Sequence, residues 1–531
     1  MSLPDRNNPY SFDDFLAWRE NADYYLEDTF FQAVVKHYAA GEWKRLDASA
    51  REISPKVSQR WRRMADEAAT PEKQPYMKHY DGHNHRIDRI VRPQETLVME
   101  REIFGEKLFS DATSPMEKLM KMYLIYQNGE ACICCPLTCT EGMVALLENY
   151  ADTPELQKIL THCKEGIDGD IAIGAQYLSE IQGGSDVPAN LVEAVEEDGV
   201  WRLYGDKFFC SATHADYAVV TAKPKGSEKV ALFIVPSWLD GNKEKEVRNG
   251  YTINRIKWKM GTSELTTAEL SFNGAVAYPV GPLNKGLANV VGIVLTFSRL
   301  TVGISGAAVM ARVAREAKAY TKMRTAFTLP IGQFPLVKMQ VDDLEKMARR
   351  TIAGAFKLYR DFLGLEGGLT RSMDADEPLE MKKLRFKIRE LVMLQKITAS
   401  WDSTDAVRTG MSLFGGHGVM EDFSSLPRLY RDSAINELWE GPRNVLLTQM
   451  HRDFQRASAW FKPAEVVSAI LEGADAKTIE TFQKEAETLV AHPNLFGPDE
   501  ATLDVCRRWD RFCHDLTHAY QDLAEAEVKE E

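Results

Sequence analysis

Three short runs of residues in this chain have types and spacing that could do chemistry. In Ser179-Glu180-Ile181-Gln182-Gly183-Gly184-Ser185-Asp186, two glycines precede a hydroxyl and a carboxylate. Such a loop lets backbone approach a flat or anionic ligand and leaves N–H and O–H donors exposed, although an ordinary turn after a strand reads the same way. No Gly-Lys-Ser/Thr follows, so it is not a P-loop, nor is it a dinucleotide-type glycine motif. In Gly205-Asp206-Lys207-Phe208-Phe209-Cys210-Ser211, Phe209 and Ser211 stand two apart. On a strand they face the same way, able to stack on and hydrogen-bond a ring system, or to fill a barrel core. The third run is Leu413-Phe414-Gly415-Gly416-His417-Gly418, then Arg428, Tyr430, Arg431-Asp432 and Asn436-Glu437-Leu438-Trp439-Glu440-Gly441-Pro442. Its glycines let backbone pass close to a phosphate or another chain, and a carboxylate before a glycine at an element end suits a positioned base.

The elements around these runs alternate in character. Residues 11 to about 70 read as amphipathic helix, with Phe12, Phe15, Leu16 and Trp18 early and Phe30, Phe31 and Val34 later, before a loop carrying Pro71 and Pro75. Helical spacing resumes from Gln94 to Asn149. From about Asp170 to Gly281 the segments are short, rich in Val, Ile, Phe, Tyr and Trp, and punctuated by turns such as Glu197-Asp198-Gly199 and Asn273-Gly274. This predicts an all-β unit, a small barrel or sandwich. Long helices return at Leu287–Met323, Leu336–Gly364 and Pro378–Leu413, and another helical stretch follows Ala457 up to the acidic tail Glu525, Glu527, Glu530 and Glu531. The expected division is 1–94, 95–169, 170–283, 284–455 and 456–531: helical extension, helical domain, β domain, four-helix-bundle domain and helical extension.

Bulk properties narrow the class. A chain of 531 residues with 44% hydrophobic and 10% aromatic content is long enough for several cores and too apolar for disorder. Its formal charge of −13 repels nucleic acid and anionic membrane unless a basic patch is segregated. Met1 to Tyr10, with Pro4, Asp5 and Arg6, has no apolar core, so it does not read as a secretory signal. The longest apolar stretch, Gly286 to Val313, has Arg299 in its middle and small residues suited to packing in a core, so no membrane span is expected. A cytoplasmic location is expected. Four of the eight cysteines cluster at Cys132, Cys134, Cys135 and Cys139. Without ligand pairs they read as buried small residues, Cys132, Cys135 and Cys139 falling on one helix face. His79, His83 and His85 read as solvated loop histidines, and Arg60, Arg62 and Arg63 as a solvated helix face. No metal site is expected.

Taken in order and spacing, the three runs resemble the acyl-CoA dehydrogenase family over roughly residues 95 to 455. Gly184-Ser185-Asp186 matches the end of the family's β-domain signature, while Ile181 and Gln182-Gly183-Gly184 depart from its usual Pro and Gly-Ala-Gly. That variant, with His83 to Asp88, the GDKFFCSA segment and the chain length, resembles the larger AidB-like branch. The resemblance implies an α+β fold: helical domain, central β-barrel or sandwich, C-terminal helical bundle and extra helices at both ends. It implies FAD as cofactor. Leu178, Ser179, Gly184 and Ser185 would contact the flavin, and Ser185 also the thioester end of the substrate. Phe209 would stack on the ring where the family often has Trp, and Ser211 would bond it in place of the usual Thr. Arg324 and Phe327 would hold a neighbouring subunit's pyrophosphate, and Gly415 and Gly416 would line its adenine half. Arg299 aligns with an arginine near the CoA portion, and Gly441 lies on the substrate side. Glu440 matches the catalytic base. Pro442 and Asn444 replace a hydroxyl residue and a Gln that usually bond the cofactor.

The implied reaction is α-proton abstraction by Glu440 with β-hydride transfer to flavin N5, giving a 2-enoyl-CoA. The proton is too weakly acidic for a carboxylate in water, so the thioester carbonyl must be polarised and the pocket kept dry, with Trp439 beside the base. The family implies a dimer or tetramer and an electron-transferring flavoprotein as acceptor. The extra helices could shape a pocket for a bulky or cyclic acyl group. Two other readings remain: a DNA-associated protective flavoprotein and a flavin oxidase or monooxygenase on the same fold. Residues 456–531 hold 16 acidic and 8 basic side chains, which argues against a DNA-binding tail.

Overall fold

The computed structural model describes residues 11–369 and 377–528. The segment Met1–Tyr10, read above as lacking a secretory signal, and the tail residues Glu530 and Glu531 lie outside them. Helices α1 (Asp13–Asn21), α2 (Thr29–Tyr38), α3 (Trp43–Pro55) and α4 (Arg62–Ala68) open the chain. Their apolar stripes converge: Phe15, Tyr25, Phe31, Val34, Leu46 and Trp61 are all buried. A hairpin, β1 (Tyr76–Tyr80) and β2 (Arg86–Val91), comes next, followed by α5 (Gln94–Phe104), α6 (Pro115–Tyr126), α7 (Cys134–Tyr150) and α8 (Pro154–Lys164). The starts of α6 and α8 are written in the sequence, since Ser114 and Thr153 each accept a backbone N–H three residues on and a proline follows each.

The hairpin corrects the loop reading of the histidines. His83 and His85 sit exposed in its turn, where Asp81 accepts both their backbone N–H groups. His79 instead lies on β1, with Nδ1 2.7 Å from buried Asp88. The cysteine reading changes in one respect. All four are buried and free, but α7 begins at Cys134, so Cys132 precedes the helix in a left-handed conformation, φ 60°.

The β unit is a barrel. Strands β3 (Gly174–Tyr177), β4 (Glu193–Glu197), β5 (Val200–Ser211), β6 (Tyr217–Pro224), β7 (Ala231–Pro236), β8 (Tyr251–Ile256) and β9 (Thr267–Pro279) form one sheet. The pairings β6–β4, β4–β5, β5–β9, β9–β7 and β7–β6 close into a ring. Closure removes most of the open edge that alternating apolar strands would otherwise leave. β3 shares an edge of β6 with β4, and β8 shares an edge of β9 with β7.

Beyond the barrel, α9 (Gly286–Asn289) runs through a π turn at 290–294 into α10 (Leu295–Met323). A two-strand hairpin, β10 (Thr325–Ala326) and β11 (Leu329–Pro330), leads to α11 (Pro335–Leu363) and α12 (Leu379–Phe414). Then come α13 (Leu426–Asn436), α14 (Arg443–Ala457), α15 (Pro463–Ile470), α16 (Ala476–Val490) and α17 (Glu500–Glu527). Gly286–Met323 is long and apolar enough to cross a membrane by length and composition, yet 67% of its most apolar window is buried inside the protein. Gly303 and Gly306 explain how α12 comes so close: a Cβ on either would collide with Gln395 or Ala399. The architecture is the α+β arrangement expected, with helices before a central barrel, a helical bundle after it, and further helices at both ends.

Candidate active site

Glu440 lies in the six-residue link between α13 and α14, and its backbone is in the left-handed region, φ 59°, followed by Gly441 at φ 102°. A non-glycine residue there costs energy and persists where the surroundings hold it. Two buried cations and one half-buried amide do the holding. Arg299 Nε on α10 donates to the Glu440 carbonyl at 3.0 Å. Lys396 Nζ on α12 donates to the carbonyls of Glu437 and Gly441 at 2.9 and 2.8 Å. Gln176 Nε2 on β3 donates to Glu440 Oε1 at 2.9 Å, with Ser298 Oγ 3.3 Å from the same nitrogen. A Cβ on Gly441 would press to 2.9 Å from Leu446, so the link follows the side of α14 closely.

The electrostatics follow from the packing. Although Glu440 retains some surface, protein atoms crowd its carboxyl, and burial lifts it to about 7 against the downward pull of Arg299, Lys396 and the Gln176 bond. Burial likewise brings Lys396 down to about 7, opposed by Glu440. An acid and a base pushed toward each other near neutrality are what proton abstraction at that pH requires. Arg443, the nearest cation in sequence, is engaged elsewhere, with Nε 2.6 Å from Asp510.

The glycine loop sits beside this group because β3 ends in it. Phe208 N donates to Ser179 O at 2.9 Å, which ties the loop to β5. Gly184 comes so near Ser179 that an added Cβ would lie 2.4 Å from its Oγ. Beneath the loop, Glu180 is ion-paired to Lys207 at 2.8 Å, and Lys207 also donates to Leu178 O, Asn190 and Thr221. Both side chains are buried, and burial lowers Lys207 to about 8 although Glu180 opposes it. β5 bulges at Phe208 and Phe209, so that Phe209 stands 50% exposed while Cys210 points into the barrel. Lys257 Nζ lies over both rings, 3.3 and 4.4 Å from their centroids. Ser211 shares the outward face and meets Thr267 at 3.1 Å.

Thus Leu178, Ser179, Gly184, Ser185, Phe209 and Ser211 gather along one rim formed by β3 and β5, and Glu440, Gly441 and Arg299 gather at the bundle side, joined to β3 through Gln176. Asn444 is exposed on the first turn of α14. Arg324, Phe327, Gly415 and Gly416 form a second group. Arg324 follows the last residue of α10, 25 positions after Arg299, and a helix rise of 1.5 Å per residue puts it roughly 35 Å further along. Tyr320 links that end to α12, stacking on Phe414 at 4.0 Å and meeting His417 at 3.2 Å. Gly415 (φ 61°) and Gly416 have no heavy atom within 4 Å of where a Cβ would sit, so this backbone is open. Phe327 is 89% exposed. An open glycine turn beside an exposed aromatic, and a glycine loop beside an outward Phe–Ser pair, each suit one half of a flavin dinucleotide. The residues present fit such a cofactor.

Sequence reading missed Gln176 and Lys396. Lys396 carries a signal, a single cation inside the apolar run LVMLQKITAS. Gln176 carries none by itself, since a polar residue on a strand most often faces solvent.

Residues 175–275 match the family model described as acyl-CoA dehydrogenase, middle domain, and residues 284–454 that described as acyl-CoA dehydrogenase, C-terminal domain, together about half the chain. Acyl-CoA dehydrogenase family member 11 of Caenorhabditis elegans is 27% identical over 72% of this chain, a match that spans 62% of the worm protein's length. The putative acyl-CoA dehydrogenase AidB of Escherichia coli is 26% identical over 81% of this chain and 78% of its own. Among solved structures, Bd2924 in its apo form superposes with a TM-score of 0.81 at 24% identity, covering 96% of this chain and 98% of that one. The C. elegans ACDH-11 complex with C11-CoA superposes with a TM-score of 0.73 at 22% identity, covering 92% and 88%. With two family models meeting at the barrel and the bundle, the chain belongs to the acyl-CoA dehydrogenase family, and its similarity to AidB and the worm protein is consistent with the larger AidB-like branch.

Proposed function

We propose that the protein is an FAD-dependent acyl-CoA dehydrogenase in which Glu440 takes the α-proton of an acyl-CoA thioester. The observation that carries this is the state of Glu440: a carboxyl raised to about 7 by burial, on a strained backbone, with Arg299, Lys396 and Gln176 all directed at it or its link. FAD, when bound, supplies the acceptor for the β-hydride, which leaves positioning and proton chemistry to the chain. Glu440 removes the α-proton. Its own backbone N–H is the protein donor available to the thioester oxygen, and Arg299 fixes the peptide that follows by holding the Glu440 carbonyl. Leu178, Ser179, Gly184, Ser185, Phe209 and Ser211 hold the flavin ring, and Ser185 and Gly441 meet the thioester end. Arg324, Phe327, Gly415 and Gly416 serve the cofactor of another copy, so the working unit is a homodimer or homotetramer. Trp439, half-buried next to the base, keeps water out.

The product is a 2-enoyl-CoA, and reoxidation passes to an electron-transferring flavoprotein or a similar acceptor. The worm structure, solved with C11-CoA, supports an acyl-CoA as substrate class, and bulky or cyclic acyl groups are part of the proposed substrate range. The test is anaerobic bleaching of the bound flavin against straight, branched, cyclic and dicarboxylic acyl-CoAs. Bleaching by one class identifies the substrate. Protein fully loaded with FAD that no acyl-CoA bleaches overturns the reading.

A further inference from the structure

The C-terminal helix α17 carries His514 and His518, four residues apart and therefore on one face. That face meets Asp402 of α12. His514 Nε2 lies 3.1 Å from Asp402 Oδ1, and His518 Nε2 lies 2.6 Å from Oδ2. Ligand atoms of the three residues all fall within 4.8 Å of one another. The Asp402 side chain is 6% exposed, those of His514 and His518 27% and 17%, so the cluster is buried on the bundle side and reachable from solvent on the other.

A fourth group intrudes. Arg350 Nη2 on α11 is 2.9 Å from His518 Nε2 and 3.7 Å from Asp402 Oδ2, while its buried Nε has no hydrogen-bond partner. One ring nitrogen cannot serve both neighbours. If His518 Nε2 carries a proton it satisfies Asp402 and faces the Arg350 donor with nothing to accept it. If it carries a lone pair it accepts from Arg350 and confronts the carboxylate. A divalent cation in place of that proton is ligated by all three residues at once, and Arg350 can swing aside to Asp402's outer lone pairs. Two imidazoles and one carboxylate are the ligand set of zinc-type ions rather than of magnesium or calcium, which take oxygen.

We propose that Asp402, His514 and His518 bind one first-row divalent transition metal, with Arg350 as the competing cation, and that the ion pins the C-terminal helix to the bundle. α17 already touches the segment after the base through Arg443–Asp510 and through Trp509 Nε1, which donates to Leu447 O at 2.9 Å. A metal there stabilises an element that braces α14.

The experiment uses the full chain stripped with chelator and titrated with Zn²⁺, and with Co²⁺ as a spectroscopic reporter. One ion per chain, visible tetrahedral-type Co²⁺ bands and a thermal midpoint raised by metal and returned by chelator are expected. Asp402→Asn, which keeps shape and hydrogen bonding, should weaken binding by at least about 100-fold, since ligand loss exceeds the 10–100-fold cost of a supporting residue. Arg350→Met removes the competing charge and should tighten binding. This variant separates the alternatives: in a plain ion-pair network it lowers stability and metal has no effect. No binding by either the natural chain or Arg350→Met, or unchanged binding in Asp402→Asn and His514→Ala/His518→Ala, overturns the proposal.

Discussion

Gln176 and Glu440, 264 residues apart in sequence, meet through a 2.9 Å hydrogen bond from the amide nitrogen to Oε1. One belongs to the barrel and the other to the link between two bundle helices, so the proposed base is placed by both halves of the fold. The bond also occupies one lone pair of Oε1. A substrate proton must come to Oε2 or to the remaining lone pair of Oε1.

Glu440→Gln keeps shape and hydrogen bonding but cannot accept a proton. Flavin reduction by substrate is expected to fall by about 10²–10⁴-fold or more, with FAD and acyl-CoA still bound. Single-turnover bleaching checks the rate, and equilibrium titration checks binding. The same variant has a signature in stability. The folded carboxyl holds its proton up to about 7, against an ordinary value of 4.5, so ionisation disfavours the folded state progressively as pH rises through that window. Glu440→Gln should therefore be more stable than the natural chain at pH 8, with the advantage shrinking toward pH 4. A loss of stability at pH 8 would assign Glu440 a structural role instead.

Much of this arrangement is legible in sequence because its signals are local. Alternation marks the strands, Ser114-Pro115 and Thr153-Pro154 mark helix starts, and the glycine runs mark the turns. What escapes is whatever depends on a partner far along the chain. Arg62 sits in an exposed-looking basic run, yet it is 3% exposed and pairs with Glu20 and Asp66. His79 looks like a member of a loop cluster and is a strand residue because Asp88 waits across the hairpin. Gln176 is an ordinary strand polar until β3 is laid against the bundle. Asp402 and the two histidines of α17 are over a hundred residues apart, and no spacing rule spans that distance.

Arg324→Ala should lose FAD and loosen the oligomer together. The residue lies roughly 35 Å along α10 from the Glu440 end of the site, too far to serve the flavin of its own chain. Sedimentation and flavin content measured on the same sample check this. A variant that remains assembled with full flavin, or a natural chain that is monomeric and yellow, would contradict it.

Binding to duplex DNA should be weak near ~150 mM salt, because the chain's formal charge is −13 and the basic run in the N-terminal helices is ion-paired. Of the basic run in α4 and the turn before it, Arg60 pairs with Glu102 at 2.6 Å, Arg62 with Glu20 at 2.6 Å, and Arg63 approaches Glu20 at 3.7 Å. Anisotropy titration at several salt concentrations measures the slope. Tight binding with a steep slope would favour the DNA-associated reading over the dehydrogenase.

Lys396 makes the sharpest pH prediction. It holds two carbonyls of the link that presents Glu440, and its charge is one of the influences that lower the Glu440 carboxyl from the value burial alone would set. The rate of flavin reduction at low substrate reports the free enzyme, so in the natural chain it should rise with pH through about 7 as Glu440 ionises. Lys396→Met removes the cation and both hydrogen bonds. The inflection should then move to higher pH, because burial is less opposed, and the plateau should also fall, because the left-handed Glu440 backbone is less firmly held. Lys396→Arg stays charged through the window in which Lys396 itself loses its proton, so its inflection should fall at or below the original place even where the bulkier head lowers the plateau. Gln176→Leu offers the matching control, since it removes a hydrogen bond that lowers the same carboxyl without touching the link. Its inflection should shift upward with a smaller loss of plateau. If Lys396→Met lowers the plateau and leaves the inflection unmoved, Lys396 acts through the backbone alone and its charge does not reach the base.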